Sequence, residues 1–147
     1  MGTEALRLLA TLAAALFAGA ALYINLVEHP ARMQLDTRIA AAQWAPSYAR
    51  ATWMQAPLAL LSFLAGTTVW LLGGGRPWLI AALLIGVVVP FTLVVIHPTN
   101  HALLAPARDT GSAETRKLLE RWGRLHAIRT ALSLAATATY LLALGRA

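Results

Sequence analysis

Four long apolar runs, at roughly residues 5–27, 53–72, 78–96 and 125–144, leave this chain few ways to fold. Each is close to the ~20 residues a helix needs to cross about 30 Å of hydrocarbon. In lipid every backbone polar group must be satisfied within the protein, which admits only helices and closed barrels. Runs this long, without period-two alternation, read as helices. The expected fold is an all-α membrane protein, an up-down-up-down four-transmembrane-helix bundle. It occupies residues 1–147 as a single integral membrane domain. The first run exceeds the 7–15 residues of a signal-peptide core and reads as a retained span. Composition agrees, with 59% hydrophobic and 12% charged residues, against roughly 45–50% and about 25% in soluble domains.

The connections add detail. Glu28 to Ala51 is polar and mixed, with Pro30, Arg32, Asp36, Arg38, Trp44, Pro46, Tyr48 and Arg50. It predicts an interfacial helical segment between helices 1 and 2, broken near the two prolines. Gly73-Gly74-Gly75-Arg76-Pro77 predicts a tight turn. Pro90 predicts a kink inside the third helix, and Ser112 an N-cap for a long fourth helix with a wet amphipathic half. Trp53, Trp70 and Trp78, at span ends, read as an interfacial belt.

The net charge is +6, from 12 Lys and Arg residues against 6 acids. Arg7, Arg76 and Arg146 fall on the side of the termini and the Gly turn. The opposite side holds Arg32, Arg38, Arg50, Arg108, Arg116, Lys117, Arg121, Arg124 and Arg129. That bias places the long loops in the cytoplasm and both termini outside. Basic residues flanking spans meet anionic headgroups, so nucleic acid is not an expected partner. The absence of cysteine excludes disulfides, thiolate metal sites and cysteine nucleophiles.

Most of the distinctive polar side chains gather at one membrane level. Asn25, Glu28 and His29 stand at i, i+3 and i+4 and share a helical face. His97-Pro98-Thr99-Asn100-His101 ends the third run, with His97 and His101 at an i, i+4 spacing that metal ligands use. Trp122, His126 and Arg129 form one stripe on the fourth helix, and Arg129 lies inside the apolar run. A buried arginine needs a partner; Glu28 is the nearest by level, and a ligand anion is the other candidate. Trp44 and Tyr48 share a face four residues apart. The chain's four histidines, His29, His97, His101 and His126, could together hold copper, iron or zinc. They could equally act as acid/base groups with no metal, and spacing does not choose.

Several segments resemble the anthrone-oxygenase-like family of small integral membrane proteins. They are Gly19 to Pro30 (GAALYINLVEHP), Trp44 with Tyr48 and Arg50, Pro90-Phe91-Thr92, Pro98-Thr99-Asn100 with Leu103, and Trp122-x-x-x-His126-x-x-Arg129. Glu28 and His29 look like its bacterial branch of unknown function. That implies a bacterial inner membrane, in which the basic-residue bias would put both termini in the periplasm. The family's fungal enzymes oxidise anthrones to anthraquinones. The resemblance therefore implies a membrane-embedded oxidoreductase or oxygenase acting on a lipophilic aromatic or quinone-like molecule. Carried over by position, its site would include Asn100, Trp122, His126 and Arg129. With the residue pattern, the catalytic candidates are His126, Arg129, Asn100, His29 and Glu28. Trp122, Tyr48, Trp44, Asn25 and Thr99 are candidates to line the substrate. A second reading is a non-catalytic lipid- or quinone-binding module or oligomeric subunit, since Gly19, Gly66 and Gly86 suit close helix association and a homo-oligomer.

Overall fold

The structure, a computed structural model, describes residues 2–146. Four long helices, each apolar enough to cross a membrane, form a four-helix membrane bundle: α1 (Thr3–Arg32), α2 (Thr37–Gly74), α3 (Arg76–Leu103) and α4 (Ala113–Leu144). Each packs chiefly on its neighbours in sequence, and α4 closes the ring against α1. The interior is built from small residues, among them Ala10, Ala14, Ala59, Ala81, Ala82 and Ala136, with a few large aromatics between them. Leucines such as Leu12, Leu16, Leu60 and Leu93 face outward. Lipid is as apolar as leucine, so close backbone packing, rather than leucine burial, holds such helices together.

The helices outrun the expected spans, and the prolines explain how. α1 passes Pro30 and α3 passes Pro98 after wide π-type turns at Ile24–Glu28 and Thr92–Ile96. A proline ring clashes with the carbonyl four residues before it. Widening the turn there lets each helix continue as His29–Arg32 and His97–Leu103. The expected break at Pro46 does not occur. Pro46 and Pro57 both sit inside one helical run from Thr37 to Val69. The segment before Trp53 is thus the first half of α2, not separate pieces. Its start is fixed by Asp36, whose side chain accepts from the Arg38 N–H at 2.9 Å. At Pro90 the helical pattern is interrupted one turn earlier, at Val87, while the backbone there stays right-handed helical. The Gly turn also forms, with Gly73 at φ 88 and Gly75 at φ 91, a left-handed conformation that favours glycine. Ser112 caps α4 by accepting from Thr115 N–H at 3.2 Å. Arg116 donates to the carbonyls of Met33 and Leu35, tying α4 to the α1–α2 turn.

One tryptophan departs from the interfacial expectation. Trp53 and Trp70 lie on the periphery, but Trp78 is 1% exposed. It packs on Tyr140 at 5.3 Å between ring centroids, with the Arg7 guanidinium 5.8 Å over its ring. The Gly turn folds the first turn of α3 back against the bundle, which turns Trp78 inward.

Gly66 and Gly86 serve packing within the chain, whereas Gly19 faces open space. A side chain at Gly66 would collide with the Tyr140 hydroxyl, which donates to the Ser62 carbonyl at 3.1 Å. Gly66→Val is therefore expected to destabilise the bundle by about 1–3 kcal/mol, as overpacking does. A detergent melt unchanged from wild type would show that this contact contributes nothing.

Candidate functional site

The polar residues gather near the helix ends that carry the two longer connections, and α4 carries the centre. Trp122, His126 and Thr130 share its inner face and are buried. Asn25, from the π-type turn of α1, holds them in place. Its Nδ2 donates to the Gly123 carbonyl at 3.1 Å, which fixes the amide's orientation. Its Oδ1 then faces His126 Nδ1 at 2.7 Å and accepts from the Thr130 hydroxyl. An amide oxygen only accepts, so His126 carries a proton on Nδ1 and keeps Nε2 free. The imidazole also stacks on Trp122 at 4.8 Å.

An aromatic wall extends from there. Trp44 meets Trp122 edge-on at 5.8 Å and stacks nearly parallel on Tyr48 at 5.1 Å. The shared face expected of Trp44 and Tyr48 is thus formed. The Tyr48 hydroxyl accepts from Asn100 Nδ2 at 3.1 Å, so its own proton is available to another acceptor. Asn100 is only 2% exposed, and its Oδ1 has no partner. Thr99, buried beside it, also has an unpartnered hydroxyl.

The expected Arg129–Glu28 pair does not form. Glu28 instead accepts from Arg32, Ser47 and Gln43, a network that lies nearer the end of α1. Arg129 donates to Gln55 Oε1 at 2.8 Å, and its guanidinium lies 5.4 Å over the Phe17 ring. Its Nε is buried without an acceptor, as is Gln55 Nε2. A cation in such a place, bonded to a neutral amide, has unused donors and no formal counter-charge.

The four histidines do not form one cluster. His126 and His29 flank Trp122, with His29 at 5.2 Å from that ring. His97 and His101 are exposed at the end of α3, 6.3 Å apart. Among the described residues no group of three or more His, Asp or Glu side chains is placed to hold a metal ion. The four histidines proposed as metal ligands thus lie on three helices, His29 on α1, His97 and His101 on α3 and His126 on α4. His29 accepts at Nδ1 from Arg32, 3.2 Å away, and this bond turns its other edge toward α4. Gly123 makes room for it, since a Cβ there would stand 2.5 Å from His29 Nε2.

Two cavities meet at Arg129. A void of about 10 Å³ is lined by Arg32, Ser47, Gln55, Trp122, His126 and Arg129. A larger cavity of about 140 Å³ has Tyr48, Asn100, His97 and Arg129 at its polar end, with Phe17, Ala59 and Val89 beyond. Tyr48, Thr52 and Arg129 border both. Gln55 and Phe17 were missed in the sequence. Gln55 carried a usable signal, being a polar residue within the second apolar run; Phe17 carried none.

A four-helix integral membrane protein with a buried histidine, an arginine and unpartnered amides around a lipid-level cavity is the class these observations define. The chain belongs to the anthrone oxygenase family, whose model matches residues 44–139. It is 40% identical over 74 residues to the anthrone oxygenase tpcL of Aspergillus fumigatus, a match covering 48% of this chain and 46% of that protein. The chain thus spans about half the length of this curated relative. No solved structure matches it. The family match contains Trp44, Tyr48, Gln55, Asn100, Trp122, His126 and Arg129, but leaves out Asn25, Glu28 and His29.

Proposed function

We propose that this protein is a membrane-embedded oxygenase that converts an activated methylene of a lipophilic phenolic aromatic to a carbonyl, giving a quinone-like product. The observation that carries this reading is the placement of two residues on one stripe inside the family-matched region: Arg129 borders a cavity with an aromatic and apolar body, and His126 borders the small void that meets that cavity at Arg129. The aromatic substrate lies between Phe17, Ala59 and Val89, its oxygen toward Arg129, Tyr48 and Asn100. His126, held by Asn25 with Nε2 free, takes a proton from the methylene. The charge delocalises onto the substrate oxygen, where Arg129 and the Tyr48 hydroxyl stabilise it, an electrostatic effect that commonly dominates catalysis. Dioxygen adds to the carbon. The second C–H proton then leaves as the O–O bond breaks. One oxygen atom stays as the new carbonyl, and the other departs as water with the two hydrogens. The methylene supplies all four electrons that reduce dioxygen, so no external reductant enters the balance. Glu28 and His29 hold Arg32 and the end of α1 beside the site. The protein sits in a bacterial inner membrane with both termini periplasmic, a reading supported by the basic residues near the long loops.

The test is direct. The purified protein in lipid nanodiscs is incubated with anthrone under ¹⁸O₂. Anthraquinone carrying one ¹⁸O, formed faster than in empty nanodiscs, is the expected result. A rate equal to the empty-nanodisc control would reject the oxygenase reading for this substrate class and leave the non-catalytic binding module.

A further inference from the structure

The polar-ended cavity borders a second one across Ala59 and Val89. Its wall residues Ala59 and Val89 also line an apolar groove of about 480 Å³ between α2 and α3, completed by Leu60, Phe63, Leu83, Gly86, Val87 and Pro90. Two local features shape its walls. The helical pattern of α3 is interrupted at Val87, ahead of Pro90. Gly86 lacks a side chain where a Cβ would stand 2.6 Å from the Phe63 ring. The rim is lipid-facing, with Leu60 55% and Leu83 54% exposed.

Direction and length matter most. From Tyr48 at the polar end to Phe63 in the groove, α2 rises about 22 Å at ~1.5 Å per residue. A compact ring system held at Arg129 and Asn100 fills only the first part of that path. Polarity falls along it in the same sense as in one bilayer leaflet, from the headgroup level to the hydrocarbon middle. An amphiphile already oriented in the membrane could slide sideways into it without turning over.

We infer that the substrate carries an alkyl or isoprenoid tail, which lies in the α2–α3 groove while its aromatic head occupies the cavity at Arg129, Tyr48 and Asn100. This rests on the proposed head site and names the substrate's class more closely.

The experiment compares two probes with one head, 4-methylphenol and 4-decylphenol, binding to the full chain in nanodiscs. Concentrations are expressed as mole fraction in the bilayer, which removes the effect of partitioning. Wild type should bind the decyl probe at least tenfold more tightly. Leu60→Trp, filling the groove from its exposed rim, should abolish that advantage and leave the methyl probe unchanged. Leu83→Trp, on the facing wall, should do the same and guards against a folding defect in the first variant. Arg129→Gln should weaken both probes. If Arg129→Gln weakens both while wild type binds them equally, the head site stands and the tail is wrong. Should the tryptophan variants expel co-purified phospholipid yet keep the decyl advantage, the groove is a lipid berth and the inference fails. An Arg129→Gln protein that binds both probes like wild type removes the head site itself, and the inference with it.

Discussion

Arg129→Met is expected to lower anthrone turnover by about 10²–10³-fold, the cost of removing one donor from a preorganised oxyanion site, while leaving the protein folded. Both halves follow from its surroundings. Arg129 is bonded to neutral Gln55 and has a buried, unpartnered Nε, so its charge faces the cavity rather than an acid. A charged side chain within a membrane helix costs about 2.5–3.5 kcal/mol on insertion scales, which the substitution relieves. Against that, Gln55 Oε1 loses its donor, a penalty of roughly 1–3 kcal/mol for a buried acceptor. The two offset within their spread, so the thermal midpoint should move little. Arg129→Met with Gln55→Leu removes both polar groups and should melt higher than wild type. A site that activity requires and stability does not is the expected signature of a functional residue. Rates measured in nanodiscs, beside thermal melts, decide it. Turnover within about twofold of wild type in the folded variant would remove Arg129 from the mechanism. A fall in stability without a fall in turnover would make it a packing residue.

The bundle was legible because lipid imposes one rule on every span, and residues 5–27, 53–72, 78–96 and 125–144 obey it. Where the reading slipped, the cause was local. Pro30 and Pro46 are the expected breaks, since in water a proline inside a helix costs about 3 kcal/mol. Here a wide turn precedes Pro30, and the helix carrying Pro46 buries residues on both sides of it. The Trp-His-Arg stripe was visible from spacing alone, and so was the placing of Asn25 a full turn deeper than His29. Partners were not. Glu28 and Arg129 lie at similar levels, but only tertiary geometry shows that Arg32, three residues past His29 on the same helix, claims Glu28 first. The i, i+4 pair His97 and His101 looked like ligands because period cannot tell an inward face from an outward one at a helix end.

His126→Gln should cost about 10²–10⁴-fold in turnover, the usual range for a positioned general base, and its coupling to Asn25 is the more searching test. Asn25 touches the reaction only through His126, by accepting from Nδ1 and thereby leaving Nε2 free. Asn25→Leu removes that acceptor, lets the imidazole exchange tautomers, and should lower turnover while substrate binding holds. The double variant should be no slower than His126→Gln alone, because groups acting as one unit do not add. A merely structural asparagine would instead add its own loss. Nitrogen NMR of labelled histidine supplies the independent reading: wild type should show the Nδ1–H form of His126, and Asn25→Leu a mixture or the opposite tautomer. Asn25→Asp restores an acceptor for Nδ1–H and Thr130, though not the donor to Gly123, so it should recover the tautomer and part of the rate. If Asn25→Leu keeps the wild-type tautomer and yet loses turnover, Asn25 works by holding α1 against α4, and the orientation of the base has another source.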